Sequence, residues 1–376
     1  MLSKQHKRNG GPLSDILVID ASQGIAGPYC GATLASYGAR VIKIDPPQGD
    51  WCRVIGKTYG SLTPLSIVYN RGKESVVLDL KEPADLEILY DLVTEADIFL
   101  ESSRPGIAKK IGIDFETLTK KNERLIYLSV SGFGQKGPYA ERPCTDGVAQ
   151  AFAGLAKSNI GLDGQSHKQD LPISDVTTGL YAFQSVSMAL FERMKTGKAQ
   201  YLDINLVTST LEIQKGRLLE QYVEGAVDAK LNVPSGIYSC PDADIALALA
   251  TEAHYQKTLA LLGLEGLNED PRFAGFSARA ENAEAIKECF GQVFASKEAD
   301  FWENKLGSAG IIINRINSLE DVLHDDKVFA GGLLRKAEQE GVGEICLPVF
   351  PLMDGNEGSA PQKGQDTEAV LAELKT

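Results

Sequence analysis

The sequence predicts an α/β protein: a parallel sheet flanked by helices, followed by a second, smaller α+β unit. Three observations carry this expectation. Short apolar runs alternate with amphipathic stretches through the first half of the chain. The pattern changes after Asp203-Ile204-Asn205, and 376 residues suggest two domains more readily than one.

Taken in order, strands are expected at Ile16 to Ile19, Val41 to Ile44, Ile98 to Leu100 and Leu125 to Val130. Helices are expected between them, at about Pro28 to Tyr37, Ala84 to Thr94 and Phe115 to Lys121. Pro28 suits a first helical turn, where its missing N–H costs nothing. From Thr177 to Lys195 the side chains Leu180, Phe183, Val186, Met188, Leu190, Phe191 and Met194 recur at helical spacing, and Gly197 is a stop. Beyond Asn205 a helix carries Leu211, Ile213, Leu218, Leu219 and Tyr222, and Gly236-Ile237-Tyr238 and Ile245 to Leu249 follow it. Asp270-Pro271-Arg272-Phe273 is a turn between helices, and residues 355–364 are a connector before a last helix at Thr367 to Leu374. The expected domains are 1–225, 226–325 and a C-terminal segment 326–376.

Lys plus Arg number 38 against 51 Asp plus Glu, a net charge of −13, which disfavours nucleic acid and anionic membrane as partners. Six scattered cysteines lack any C-x-x-C pair and read as reduced thiols. Four histidines form no metal-ligand spacing, so no metal is expected. Lys4, His6, Lys7 and Arg8 make a basic start, but Asp15 and Asp20 interrupt the apolar stretch that a signal peptide would need. No apolar run approaches bilayer length, and a cytoplasmic location is the simplest expectation.

Asp175, in Pro172-Ile173-Ser174-Asp175-Val176-Thr177-Thr178-Gly179, stands at or next to the N-cap of the long apolar helix. A capping role is the plain reading of such an aspartate. Gly132-Phe133-Gly134-Gln135-Lys136-Gly137 fits a dinucleotide fingerprint, but Pro138 and Pro143 deny it the helix start that would receive a pyrophosphate. Residues 21–28 join the first strand to the first helix, where backbone N–H groups can meet a phosphate.

Across Ile16 to about Leu374 the chain resembles the class III (CaiB/BaiF type) CoA-transferases. The motifs that carry the resemblance run in order. They are Val18-Ile19-Asp20 with Ala26-Gly27-Pro28, Gly38 to Asp45, Asn70-Arg71-Gly72-Lys73, Leu78-Asp79-Leu80-Lys81 and Arg104-Pro105-Gly106. Leu125-Ile126-Tyr127, Ser131 to Tyr139, Asp175 with Gly179, Asp270 to Phe273 and Gly364 to Leu371 complete them.

The resemblance implies a Rossmann-like large domain shared by both chain ends, a smaller inserted α+β domain, and an interlocked-ring homodimer. It also implies transfer of CoA from an acyl-CoA to a small carboxylic acid, with no tightly bound cofactor and Asp175 as nucleophile. Gly24, Ile25 and Ala26 match positions that contact CoA through backbone. Lys73 and Lys110 match basic positions near its nucleotide and phosphates, and Arg71, Arg104 and Ser103 are supporting candidates. An acidic protein that binds anionic CoA must concentrate its cations locally, which also singles out Lys109. The backbone of 132–137 is a candidate oxyanion site, and Tyr139, Gln150, Glu252 and His254 are candidates for the acceptor side.

The chain departs from the family pattern in places. Glu101-Ser102-Ser103 stands where Glu-Asn-Phe/Tyr is frequent, Pro46 where some members have arginine, and Ser174 where glycine is commonest. Three alternatives stay open. A racemase of this fold pairs a His-Asp dipeptide with the carboxylate matching Asp175, but here Thr145 precedes Asp146. A CoA-dependent lyase and a non-catalytic CoA-binding subunit are the others.

Overall fold

The computed structural model describes residues 10–161, 164–225, 232–351 and 358–375. The basic start at 4–8 and the first part of the 355–364 connector lie outside the described residues. The chain divides into two compact units, Met1–Leu219 with Gly332–Thr376, and Glu220–Gly331.

In the first unit the elements run β1 (Leu17–Asp20), α1 (Ala26–Ser36), β2 (Arg40–Asp45), α2 (Pro64–Asn70), β3 (Glu74–Val77), α3 (Pro83–Glu95) and β4 (Ile98–Glu101). They continue α4 (Ile107–Ile111), α5 (Phe115–Thr119), β5 (Ile126–Ser131), α6 (Asp146–Phe152), α7 (Leu155–Ser158), α8 (Ile173–Thr196), β6 (Gln200–Asn205) and α9 (Leu206–Glu212). The six strands form one parallel sheet in the order β3-β2-β1-β4-β5-β6.

β1 is buried along its whole length because helices cover both faces of the sheet. Side chains alternate between the faces. Val18, Leu100 and Leu128 pack with Leu34 of α1 and Val186 of α8. Leu17, Ile19, Phe99 and Tyr127 pack with Leu89 and Leu92 of α3. Pro28 falls in the first turn of α1, as its missing N–H suggests.

Two strands escape the apolar pattern. β3 reads Glu-Ser-Val-Val and is an edge strand, covered by the C-terminal segment rather than by another strand. The Asp366 carboxylate accepts the Ser75 N–H at 2.8 Å, and Thr367 Oγ1 accepts that of Val77 at 3.1 Å. β6, Gln-Tyr-Leu-Asp-Ile-Asn, is the opposite edge, and half of its side chains are polar.

Beneath the strand ends lies a buried charge cluster of three acids and three bases. Lys73 pairs with Asp20 at 2.7 Å, Lys43 with Asp50 at 3.1 Å, and Arg53 with Asp45 at 2.8 Å. Ions removed from water persist only when paired and hydrogen-bonded, and each of these is.

The second unit holds an antiparallel sheet of Gly236–Ser239, Asp244–Ala248 and Ile312–Arg315. Its core includes Tyr238, Phe290, Phe294 and Trp302.

Candidate active site

The strand order reverses between β1 and β4, the position where sheets of this kind bind ligands in a crevice beyond the carboxyl ends of their strands. The loops that leave β1 and β4 are pinned. The Ser102 hydroxyl accepts the Gln23 N–H at 2.8 Å and donates to the Gln23 carbonyl at 3.3 Å, clasping one loop to the other. Asp50 accepts the Gly24 N–H at 2.9 Å. The Trp51 indole lies against Gly24, whose φ of +84° and lack of a Cβ make that approach possible.

Asp175 stands at this same edge of the sheet. α8 begins at Ile173, so Asp175 lies inside the first helical turn and not at the N-cap, which is Pro172. The cap comes from another helix. The Asp146 carboxylate, at the start of α6, accepts the N–H of Ser174 at 2.7 Å and of Asp175 at 3.1 Å. Buried Gln150 donates to the other oxygen of Asp146 at 2.6 Å and holds it in place.

One turn later α8 crosses α1 so closely that a Cβ on Gly179 would meet the Ala26 carbonyl oxygen and Tyr29, each at 2.8 Å. That crossing brings Asp175 beside the start of α1. Ser174 is fully buried, and its hydroxyl accepts a hydrogen bond from Thr210 at 2.8 Å, which accounts for a hydroxyl where the family commonly has glycine.

The helix start does not hold Asp175 ionised. Burial, and secondarily the charge of Asp146, push its carboxyl up to about 7. A helix terminus favours an anion by roughly 0.3–1 kcal/mol, less than one pKa unit, and here its first N–H groups are already given to Asp146. Neighbouring groups register the same charge. Burial and then Asp175 push the Tyr69 phenol up to about 12 and the Cys144 thiol up to about 11.

The other expected site residues divide. Arg104 and Lys110 are exposed on the β4–α4 segment beside the crevice, as is Lys109. Ile25 and Ala26 begin α1, and no side chain among the described residues caps that start. Ser103 is partly buried, and its carbonyl accepts from Gln135 at 3.2 Å.

Lys73 requires a correction, because its ammonium is buried and gives its three donors to Asp20, the Pro28 carbonyl and Asn70. None remains for a phosphate. Arg71 is also buried, donating to Gln339 and the Glu338 carbonyl of the C-terminal segment. The Gly24 N–H is committed to Asp50, so it is no ligand donor. In the glycine-rich loop, the Gly134 N–H goes to Ser131 and the Gln135 N–H to Asp203, which removes two candidate oxyanion donors. Glu252 pairs with Arg279 at 2.6 Å within the second unit.

Asp146 as the cap, the Ser102 clasp and Trp51 were not anticipated. The only sequence signal for Asp146 is its place at a helix start; the two N–H groups it accepts lie 28 and 29 residues away.

A parallel sheet in this order, with a carboxylate at the start of a helix on its carboxyl edge, defines a Rossmann-like α/β protein with a candidate site at its switch point. The description "CoA-transferase family III" matches residues 13–367, and the chain belongs to that family. It is 30% identical to the acetyl-CoA:oxalate CoA-transferase of Acetobacter aceti, over 91% of this chain and 89% of that one. It is 30% identical to the succinate–glutarate CoA-transferase of Agrobacterium fabrum, over 97% and 96%. Among solved structures, a CAIB/BAIF family protein from Brucella suis superimposes with a TM-score of 0.85 at 29% identity, covering 97% of this chain and 100% of that one. The D175A mutant of Rv3272 from Mycobacterium tuberculosis gives 0.87 at 26%, covering 96% and 99%. The protein is therefore a transferase acting on CoA thioesters.

Proposed function

We propose that this enzyme moves CoA from an acyl-CoA to a free carboxylic acid through covalent intermediates on Asp175. The observation that carries the reading is the placement of Asp175 at the crevice edge, beside the start of α1, with its backbone fixed by Asp146. The Asp175 carboxylate attacks the thioester carbonyl and expels CoA thiolate, leaving a mixed anhydride. The thiolate attacks the aspartyl carbonyl and expels the donor acid, leaving an aspartyl-CoA thioester. The acceptor carboxylate attacks that thioester, expels thiolate and forms a second anhydride. Thiolate then attacks the acceptor's acyl carbon and frees Asp175. Each step exchanges one acyl–oxygen or acyl–sulfur bond for another, with no net proton or electron.

Exposed Arg104 and Lys110, and the N–H groups that open α1, are the groups we assign to the CoA phosphates and backbone. Ser103 borders the same path. The long apolar exposures on α8, at Met188, Phe191 and Met194, fit a homodimer, which the family resemblance also implies. Racemisation is disfavoured, because the Thr145 hydroxyl is too weak an acid and too weak a base to serve near neutral pH.

The test is Asp175→Asn, assayed with an acyl-CoA donor and a panel of small acids. Turnover should be lost while CoA binding, followed by calorimetry, persists. Full turnover in the variant would refute the assignment.

A further inference from the structure

A cavity of about 330 Å³ lies on the face of the sheet opposite α1 and α8, and the mechanism above makes no use of it. Glu101 of β4, Tyr127 of β5 and Tyr201 of β6 line it together, because strand side chains alternate and these three fall on one face. Tyr127 and Tyr201 stack at 5.6 Å between centroids, and Phe115 of α5, also on the lining, meets Tyr201 at 5.5 Å. The Tyr201 ring remains 40% exposed.

Two buried polar groups here lack partners. Glu101 is 1% exposed; its Oε2 accepts the Ser103 N–H at 2.7 Å, and its Oε1 closes no hydrogen bond among the described residues. The fully buried Ser129 hydroxyl stands beside Glu101 and Tyr201 and closes a hydrogen bond with neither. Buried polar groups almost always have partners, so an acceptor left open on a cavity wall marks a place for a donor. Lys109 and Lys136 border the same cavity, exposed and without a carboxylate partner among the described residues. Of the two further acids on the lining, Asp114 is given to the Thr117 N–H and hydroxyl, and Glu116 is exposed.

An acceptor, aromatic surface and two free cations in one cavity match a ligand with a donor, a flat body and an anion. An aminopurine nucleotide has all three. The exocyclic amine of adenine donates to Glu101 Oε1, the base stacks on Tyr201, and the phosphate meets the two lysines. The volume is that of a small-molecule site and too small for whole CoA. Arg104 and Lys110, assigned above to CoA, are not on its walls. One residue along α4 turns a side chain by about 100°, so Lys109 and Lys110 serve different sites.

We propose that this cavity binds an adenine mononucleotide, separately from the acyl-CoA. AMP is titrated into the full-length protein by calorimetry, with and without saturating CoA. IMP, which carries a carbonyl in place of the amine, is titrated in parallel.

Wild type should bind one AMP per chain in both conditions, and IMP about 10-fold more weakly. Glu101→Gln gives a sharper reading. The Ser103 N–H holds the amide oxygen and turns the amide N–H groups toward the ligand, so the preference should invert from AMP to IMP. Tyr201→Leu removes the stacking surface and should weaken AMP roughly 10-fold with turnover unchanged, and it decides the matter if Glu101→Gln does not fold. No AMP binding to wild type, displacement of AMP by CoA, equal binding of AMP and IMP, or full AMP affinity in Tyr201→Leu would overturn the proposal. So would a folded Glu101→Gln that keeps the preference for AMP.

Discussion

The Asp146 carboxylate accepts the backbone N–H of Asp175 at 3.1 Å while its charge raises the carboxyl of that same residue. One side chain thus fixes where the nucleophile stands and makes it harder to ionise. The two effects separate by substitution. Asp146→Asn retains the oxygen that accepts the two N–H groups and removes the charge, so the acid limb of the pH–rate profile should move to lower pH, at the cost of the hydrogen bond that Gln150 donates to the other oxygen. Asp146→Ala should cost about 1 kcal/mol of stability, as removal of a helix cap does. Thermal melts and kcat/KM against pH check both.

The raised carboxyl of Asp175 sets two pH dependences. The nucleophile is the ionised form, so kcat/KM should rise with pH through about 7 and then level. Stability runs the other way. The folded value lies above the unfolded 3.8, so the contribution of the neutral carboxyl is full below about 4 and is lost as pH rises through about 7. Asp175→Asn should therefore be more stable than wild type at pH 8, by on the order of 1–2 kcal/mol, and no more stable at pH 4. Denaturant melts at the two pH values read the difference.

Lys73 and Lys110 should behave oppositely, although both match basic positions of the family. Lys73→Met strands Asp20 as a buried charge and should cost roughly 3–5 kcal/mol of stability. Lys110→Ala should leave the melt unchanged and raise KM for the acyl-CoA several-fold, more at low salt. A loss of stability at Lys110, or none at Lys73, would reverse the assignment.

Gly179→Ala tests the helix crossing. Its methyl group would stand 2.8 Å from the Ala26 carbonyl oxygen and from Tyr29. Overpacking of this kind costs roughly 1–3 kcal/mol, and here it also shifts Asp175 relative to α1. Turnover should fall by more than the loss of stability explains, a comparison made at a temperature where both proteins are folded.

Much of the fold was legible because its signals are local. Buried strands such as β1 and β4 are continuous apolar runs, and α8 shows a clear helical period between Leu180 and Met194. β3 and β6 were silent because edge strands need to be apolar on one face at most. Asp175 stood out through its place before a long apolar helix and through the family motifs. What failed was burial of charge. Whether Lys73 faces a phosphate or a carboxylate depends on Asp20, 53 residues away. The ionisation of Asp175 likewise depends on Asp146 and on packing that no short window contains.

Trapping the enzyme during turnover tests the central claim most directly. Wild type is mixed with an acyl-CoA, quenched within one turnover, digested and examined by mass spectrometry across the peptide containing Asp175. The account predicts a CoA thioester on Asp175, converted to a hydroxamate by hydroxylamine and absent from Asp175→Asn. An unmodified peptide at every time point during steady conversion, together with an active Asp175→Asn, would contradict it.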